Sequence, residues 1–318
     1  MLDAEPRSKT NAWFRLGVVA LLVGTYLAIR LIKAWMWPDG GHEPDGMWDQ
    51  VLRWGAIGWA ILLPWALADV SGWLLYRPNT KVSAETRAGG STEAMSTGAM
   101  STEVAFRVVT RGDQPRVLRA TVANIIATMG VRPLFPHRIE VVTDTPMSGL
   151  DSLEKVTQIV VPPEYGTSNS ATHKARALNF AMETSSLPDE SWILHLDEES
   201  HITEELVVGI RNAVSEEEGT GEHRIGQGLI LYHRDIASNT FLTLADSIRV
   251  GDDLGRFHLQ YRLNRVLFGM HGSFVLVRNS VEKEVGFDFT PPGCVTEDTT
   301  WGLSQMDRER RSAGSTGR

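Results

Sequence analysis

The 318-residue chain contains a single cysteine, Cys294. One cysteine excludes internal disulfide bonds and every zinc motif built on several cysteines, and it fits a reducing compartment. The chain also lacks an excess of basic charge, since 31 Lys and Arg residues stand against 39 Asp and Glu residues, for a net charge of -8. The electrostatic footprint of a nucleic-acid-binding protein is therefore missing, and no DNA or RNA partner is expected.

Three common motifs are absent as well. The sequence has no G-x-x-x-x-G-K-[ST] phosphate loop, no G-x-G-x-x-G after the first predicted strand, and no G-x-S-x-G. The first two motifs cradle phosphates through glycine-rich turns, and the third exposes a nucleophilic serine. Their absence argues against P-loop enzymes, dinucleotide-dependent enzymes and serine hydrolases of the α/β class.

Long apolar runs are confined to the N-terminal quarter of the chain. In the first segment, Trp13 to Trp37, only the stretch Leu16 to Ile29 is free of charge, which is about 21 Å of helix. Arg30 and Lys33 would have to extend their charged ends to the membrane surface if this segment spans. No small-x-small cleavage site of a signal peptide follows it.

The second apolar segment, Trp54 to Tyr76, is interrupted only by Pro64 and Asp69. Aromatic residues stand near both of its ends, as in the aromatic belt of a spanning helix. Lys and Arg flank the pair of segments on both outer sides, whereas the connecting loop, residues 38–50, carries acidic residues and no Lys or Arg. Because basic residues prefer the cytoplasmic side, we predict a multi-pass membrane protein whose hairpin ends and catalytic domain are cytoplasmic.

The composition divides the chain into four parts. Residues 1–80 form the predicted transmembrane hairpin, and residues 81–103 form a flexible Ser/Thr/Gly linker that contains an imperfect five-residue repeat. Residues 104–303 form the predicted catalytic domain. Residues 304–318 are polar and are predicted to be a disordered tail.

Short apolar runs alternate with helical patterns after the linker, which predicts an α/β domain with a largely parallel sheet. The predicted strands are Val104–Thr110, Arg138–Thr143, Val156–Val161, Trp192–Leu196 and Gly228–Tyr232, and the predicted helices are Pro115–Met129, Ala171–Glu183 and Thr203–Val214. Ligands of such sheets bind beyond the carboxyl ends of the strands. Polar residues follow three of these strands, at Thr110, at Thr143 and at Asp197.

The acidic run Asp197-Glu198-Glu199 ends the apolar stretch Trp192–Leu196. Residues two apart on an extended chain point to one side, so Asp197 and Glu199 could bind Mg²⁺ or Mn²⁺. Taken alone, such a run is more often a helix cap or a solvated turn. A metal bound there could neutralise the charge of a diphosphate ligand.

Three further positions carry possible chemistry. A carboxylate in Thr296-Glu297-Asp298 could act as general base, although an acidic helix N-terminus explains the same residues. Positively charged side chains stand near the start of a predicted helix, at His173, Lys174 and Arg176. They could bind a diphosphate group, or they could form a basic turn that only solvent contacts. His195, in mid-strand, is interpreted as a buried core residue, and His271 as a residue that could line an acceptor pocket.

The order of these motifs resembles family 2 glycosyltransferases of GT-A fold, and most closely the egghead-type β-1,4-mannosyltransferases. The resemblance covers about Val104 to Leu303 and rests on Phe106–Gly112, Lys174–Leu178, Leu194–Glu199, Gly226–Ile230, Leu244–Val250, Asp252–Asp253 and Glu297–Asp298. It implies a GT-A Rossmann-like mixed sheet, a divalent metal, and inverting transfer from a nucleotide-diphospho-sugar, GDP-mannose or a UDP-sugar, to a lipid or glycan acceptor.

The resemblance also implies roles for individual residues. Thr110, Arg111 and Asp144 would contact the nucleotide, Lys174 and Arg176 its phosphates, Asp197 and Glu199 the metal and donor, and Asp298 would be the base. Acceptor binding is expected at His271, Gly272 and Glu297. The usual Asp-x-Asp is here Asp197-Glu198-Glu199, which the egghead-type group shares.

One departure leaves alternatives open. The family normally continues with a Gln-x-x-Arg-Trp motif and further membrane helices, whereas this chain ends at Arg318. A processive UDP-sugar polysaccharide synthase is the second enzyme hypothesis, and the missing motif argues against it. A truncated, non-catalytic nucleotide-sugar-binding membrane protein is the third.

Overall fold

A computed structural model describes residues 46–75, 100–220, 225–230, 248–263, 265–289 and 298–304, with scattered positions between 20 and 34. The chain divides into two compact units. One consists of Met1–Tyr76 with His233–Leu263, and the other of Arg77–Tyr232 with Asn264–Arg318. Residues 233–263 fall inside the predicted catalytic domain, 104–303, but they group with the N-terminal segment.

The larger unit is built on one six-stranded mixed sheet. Its strands are β1 (Val104–Thr110), β2 (His137–Thr143), β3 (Val156–Val160), β4 (Trp192–Asp197), β5 (Gly226–Gln227) and β6 (Val275–Arg278). The spatial order is β3-β2-β1-β4-β6-β5. The first four strands are mutually parallel, and β6 runs antiparallel to both β4 and β5. A mixed sheet of this kind fits the GT-A fold that the sequence predicts.

Helices cover both faces of the sheet because successive side chains of each strand point to opposite sides. The helices of this unit are α2 (Pro115–Val131), α3 (His173–Thr184), α4 (Glu204–Thr220) and α7 (Asn279–Val285), and residues 298–304 are also helical. Phe106 and Val108 of β1 pack in one apolar cluster with residues of α2 and α4. Ala105, on the opposite face, packs with residues of α3 and α7.

The observed strands match the predicted ones at the first four positions, with ends that differ by at most one residue. The predicted strand Gly228–Tyr232 is replaced by β5 at Gly226–Gln227, and its last residues lie outside the described part of the chain. The Gly228 N–H still donates to Phe274 O at 2.8 Å, which extends the contact with the β6 side by one residue. Strand β6 itself is absent from the sequence prediction.

The other unit contains α1 (Met47–Leu75), α5 (Ile248–Asp252), a π-helical turn (Asp253–Phe257) and α6 (His258–Arg262). Predicted segment Trp54–Tyr76 lies almost wholly within α1, whereas most of Trp13–Trp37 lies outside the described residues. Within the described residues, none of the helices combines the length and the apolar character that crossing a membrane requires.

Packing between α1 and the π-helical turn depends on two glycines and one ion pair. A Cβ on Gly72 would overlap the Gly255 carbonyl group, so the two backbones touch directly. The Arg256 backbone N–H donates to Asp69 Oδ1 at 2.8 Å, and its guanidinium group lies 4.8 Å from the Trp65 ring centroid. Arg256 Nη1 also pairs with Asp69 Oδ2 at 3.3 Å, which explains how an aspartate is accommodated in the apolar part of α1.

Candidate active site

The carboxyl ends of β1, β2 and β4 meet at one edge of the sheet. In the parallel register Thr110 stands opposite Thr143, and Val109 stands opposite Asp197. Gly112 follows β1 with φ +86, and a Cβ there would lie 2.9 Å from Thr143 Oγ1. Glycine is therefore required for the loops after β1 and β2 to approach each other. The predicted rim of polar strand ends is present.

Lys174 connects three parts of this rim. Its Nζ atom donates to Asp197 Oδ1 at 2.7 Å and to the Gly272 carbonyl oxygen at 2.8 Å. Lys174 lies in the first turn of α3. Its ammonium group therefore links this helix to the end of β4 and to the loop before β6. The positive charge of Lys174 also offsets part of the negative charge of Asp197-Glu198-Glu199.

The loop before β6 has an uncommon backbone conformation. Phe274 has φ +56, in the left-handed region that large side chains rarely occupy. The Ser273 hydroxyl accepts a hydrogen bond from the Asp197 backbone N–H at 3.1 Å and lies 2.9 Å from Ser200 Oγ. These contacts hold the loop against the end of β4, where Gly272 meets Lys174.

Asp298 lies in a small pocket behind this loop. Among the described residues the pocket is lined by Leu178, His195, Met270, His271, Gly272, Val275, Phe287, Asp298 and Trp301. Burial raises the pKa of Asp298 above the usual aspartate value; Lys174 lowers the pKa and Asp197 raises it. Asp298 is thus a partly buried carboxyl group with an increased affinity for a proton, and the charges of Lys174 and Asp197 act on it.

The remaining residues of the acidic run have separate environments. Glu198 accepts a hydrogen bond from the Thr110 hydroxyl group, and its own carbonyl oxygen accepts one from Thr121 Oγ1 at 2.6 Å. Burial raises the pKa of Glu199, and the charges of Asp197 and Glu198 raise that pKa further. A divalent cation bound beside Glu199 would offset the repulsion between these neighbouring carboxylates.

No group of three or more His, Cys, Asp or Glu side chains arranged to hold a metal ion occurs within the described ranges. Asp197 and Glu199 therefore remain predicted metal ligands. The excess negative charge around Glu199 is the feature of this chain that fits a divalent cation.

Arg176 and Asp144, predicted to contact the nucleotide, contact each other. Arg176 Nη1 donates to Asp144 Oδ1 at 2.9 Å, and Arg176 Nε donates to the Tyr165 carbonyl oxygen at 3.0 Å. A further guanidinium bond goes to the Pro162 carbonyl oxygen. Arg176 thus fixes the loop after β3 beside the rim, and Asp144 remains partly open to a ligand. Arg111, the next predicted contact, is exposed at the same rim.

The predicted acceptor residues are only partly described. His271 and Gly272 are half-buried and line the pocket with Asp298. A Cβ on Gly272 would overlap the carboxylate oxygens of Asp298, so the absence of a side chain lets the carboxyl group lie there. Glu297 lies outside the described residues.

A buried charge network behind the pocket was not found from the sequence. Arg107, in the middle of β1, is fully buried; its Nε donates to Glu140 Oε2 at 2.8 Å, and its Nη1 pairs with Glu282. The second oxygen of Glu282 bonds His195 Nε2. Arg107 stands opposite both Glu140 and His195 in the sheet register, so three strands contribute to one polar row.

The sequence does contain one indication of this network, which is the arginine inside the otherwise apolar run Val104–Thr110. A buried arginine needs acidic partners. Its partners could not be chosen from the sequence, because they lie 33 and 175 residues away.

Comparisons with known proteins relate the chain to glycosyltransferases. Residues 192–311 match the family described as glycosyl transferase family group 2. The chain is 42% identical over 198 residues to beta-1,4-mannosyltransferase egh of Drosophila melanogaster, across 61% of this chain and 42% of the fly protein. It is 35% identical over 210 residues to beta-1,4-mannosyltransferase bre-3 of Caenorhabditis elegans, across 65% of this chain and 45% of that protein. The chain spans less than half the length of these curated relatives.

Proposed function

We propose that the chain is a family 2 glycosyltransferase that transfers a hexose, with mannose favoured, from a nucleotide-diphospho-sugar to a lipid-linked or glycan acceptor. Residues 192–311 match glycosyl transferase family group 2, and the chain is similar to two β-1,4-mannosyltransferases, which supports this proposal. GDP-mannose is the preferred donor in this proposal, because the relatives are named as mannosyltransferases. The observation that carries the proposal is the partly buried Asp298 carboxyl group near Lys174 and the end of β4.

Asp298 is the general base in the proposed reaction. Its carboxylate takes the proton from an acceptor hydroxyl group, whose oxygen attacks the anomeric carbon of the donor sugar. The bond between that carbon and the phosphate oxygen breaks, and the nucleoside diphosphate leaves. A base is most effective when its pKa is near the working pH, and burial moves the pKa of Asp298 in that direction.

The donor is proposed to bind along the rim of the strand ends. Thr110, Arg111 and Asp144 face the nucleotide, and Lys174 and Arg176 stand on the phosphate side. Asp197 and Glu199 would hold Mn²⁺ or Mg²⁺, which supplies positive charge to the diphosphate when bound. Lys174 also keeps Asp197 in a fixed position through their 2.7 Å contact.

Calorimetry with the full chain tests donor binding. GDP-mannose, UDP-glucose, GDP and UDP are titrated with and without Mn²⁺. We expect metal-dependent binding of one nucleotide class, lost in an Asp197→Asn, Glu199→Gln double variant. The exposed residue Glu190 supplies a Glu→Gln control that should bind as the parent does. Absence of binding by the parent would favour a non-catalytic protein.

We propose further that the two N-terminal apolar segments hold the chain on a membrane, with the catalytic domain on its cytoplasmic side. Large apolar side chains of α1 are exposed, including Leu62, Trp73 and Leu74, which supports contact with lipid. The basic flanks support the orientation. Flotation with liposomes after carbonate washing tests the attachment, and recovery of the full chain in the unbound fraction would contradict it.

A further inference from the structure

Asp288, in the segment after α7, binds one turn of the loop between β3 and α3. Its Oδ1 atom accepts a hydrogen bond from Thr167 Oγ1 at 2.6 Å, and its two carboxylate oxygens accept from the Asn169 backbone N–H at 3.1 and 2.9 Å. The Asn169 side-chain amide donates to the Asp288 carbonyl oxygen at 3.0 Å and to Oδ2 at 3.4 Å. Each carboxylate oxygen therefore accepts from two donors of the same turn.

The position of Asp288 is fixed by the residue before it. Phe287 is buried, and its ring stacks on Trp301 with ring centroids 6.2 Å apart. The same ring meets the His195 ring edge-on at 6.1 Å. Because His195 belongs to β4, Asp288 is anchored to the strand whose end carries Asp197.

Thr167 connects Asp288 to the start of α3. Its hydroxyl group donates to Asp288 and accepts from the Ala171 backbone N–H at 2.7 Å, and its carbonyl oxygen accepts from the Ser170 N–H at 3.1 Å. Ser170 and His173 have φ of +56 and +50, in the left-handed region that residues with a Cβ seldom occupy. Such a backbone persists only where the surrounding structure holds it, and the bonds of Thr167 do so here.

The first turn of α3 and the rest of the helix are held in different ways. Leu178, further along, packs in the apolar cluster on one face of the sheet. Thr172, before the first turn, makes no side-chain capping bond within the described part of the helix. Arg176 donates to carbonyl groups in the first half of the loop, which ties the loop to α3 itself. Asp288 is thus the contact that fixes the first turn from outside the helix and its loop.

Lys174 is the second residue of α3, directly after His173. Its Nζ atom lies 2.7 Å from Asp197 Oδ1 and 2.8 Å from the Gly272 carbonyl oxygen. A hydrogen bond of this kind is lost within a few tenths of an ångström beyond its usual length, so a small shift of the first turn would break these contacts.

We propose that Asp288 is a positioning residue, which acts through Thr167 on the first turn of α3 and holds Lys174 in place between Asp197 and the Gly272 carbonyl group. This inference rests on the proposed function, in which Lys174 stands on the phosphate side of the donor. Asp288 itself does not touch the donor in this role. It keeps the charge of Lys174 at the point where the diphosphate binds and leaves.

Three variants isolate the contact between Asp288 and the turn. Asp288→Asn keeps the shape of the side chain, but its NH₂ group faces a donor in either orientation. Thr167→Val removes the hydroxyl group that links Asp288 to Ala171, whereas Thr167→Ser retains it. Asp189→Asn is the control, because it neutralises an exposed carboxylate that is paired with Lys283 at 2.7 Å.

Transfer from GDP-mannose to octyl β-glucoside is measured with the full chain in lipid nanodiscs. We expect Asp288→Asn and Thr167→Val to lower kcat/KM for GDP-mannose by about 10-fold, because a displaced Lys174 loses about one charged hydrogen bond to the donor. Thr167→Ser and Asp189→Asn should transfer as the parent does. The KM of octyl β-glucoside should stay unchanged in all four variants.

A double-mutant cycle separates positioning of Lys174 from a general structural role. Asp288→Asn is repeated in a Lys174→Met chain, where there is no ammonium group left to position. The substitution should then cost less than about 2-fold, since the two residues act as one unit. An equal cost in both backgrounds, or a parental rate in Asp288→Asn alone, would overturn the inference.

Calorimetry with GDP and UDP in the presence of Mn²⁺ gives a readout that does not depend on turnover. We expect the Kd of the nucleoside diphosphate that binds to rise by about 10-fold in Asp288→Asn and to stay parental in Thr167→Ser. If the parent binds a nucleotide but transfers nothing, the proposed function fails, and this rise still supports the positioning role. An unchanged Kd in Asp288→Asn would overturn that role whether or not the parent transfers mannose. A parent that binds neither nucleotide would overturn both.

Discussion

Gly272 lies directly against the carboxyl group of Asp298, and a Cβ atom at position 272 would overlap both carboxylate oxygens. We therefore predict that Gly272→Ala displaces Asp298 and lowers kcat by about 10²-fold, the usual cost of a misplacement of about 1 Å. Initial rates of mannosyl transfer measure the effect. Gly209→Ala, on α4 with no atom near its added Cβ, should leave the rate unchanged. Equal rates for both variants would contradict the role of Gly272.

The pH dependence of transfer should report Asp298. Burial raises its pKa, and Lys174 opposes that rise. A base acts in its ionised form, so the rate should increase with pH as Asp298 loses its proton, with a midpoint above that of an ordinary aspartate. Lys174→Met removes a charge that lowers the pKa, so the midpoint should move to higher pH.

The control for this experiment is Lys283→Met, which removes an exposed lysine paired with Asp189 at 2.7 Å. Its kcat/KM profile should overlay that of the parent. A midpoint that moves to lower pH in Lys174→Met, or that moves equally in both variants, would remove Asp298 from the role of base.

Removal of one charge from the buried network should strongly destabilise the larger unit. Arg107→Met leaves Glu140 and Glu282 buried without their cation, and loss of one partner of a buried pair costs about 3–5 kcal/mol in unfolding free energy. Arg138→Met breaks the half-exposed pair with Glu103 and should cost about 1 kcal/mol or less. Urea denaturation compares the two. A similar loss of unfolding free energy in both variants would mean that the buried network contributes little to stability.

The contact between α1 and the π-helical turn should depend on the absence of side chains. Gly72→Ala places a Cβ on the Gly255 carbonyl group, so we expect faster amide hydrogen exchange across residues 248–262. Gly55→Ala, on the same helix, meets no atom within 4 Å and should leave exchange unchanged. Exchange that is unaltered in Gly72→Ala would exclude a tight packing of these helices.

Much of the sheet could be predicted because β1 to β4 are short, largely apolar runs bounded by polar residues, and these four strands pair in parallel with one another. Strand β6 was missed for a physical reason. It has only four residues, and it is a strand because it pairs antiparallel with β4 and β5. Local periodicity carries no information on such long-range pairing.

The site was predictable to a similar extent. Asp197, Lys174, Gly272 and Asp298, all predicted site residues, lie close together in the structure, and their functional roles remain predictions. His195 was interpreted only as a core residue, and it is indeed buried. Its contact with Glu282 and its position on the pocket depend on tertiary packing, which no local pattern in the sequence encodes.

Transfer by Asp298→Asn tests the central claim most directly. Mannose transfer from GDP-mannose to octyl β-glucoside is measured with Mn²⁺ in nanodiscs, beside Asp151→Asn, an exposed control of the same chemistry. We predict that the parent and Asp151→Asn transfer at one rate and that Asp298→Asn loses about 10²–10⁴-fold in kcat, with the Kd for GDP-mannose unchanged. Transfer by Asp298→Asn at the parental rate would contradict the account.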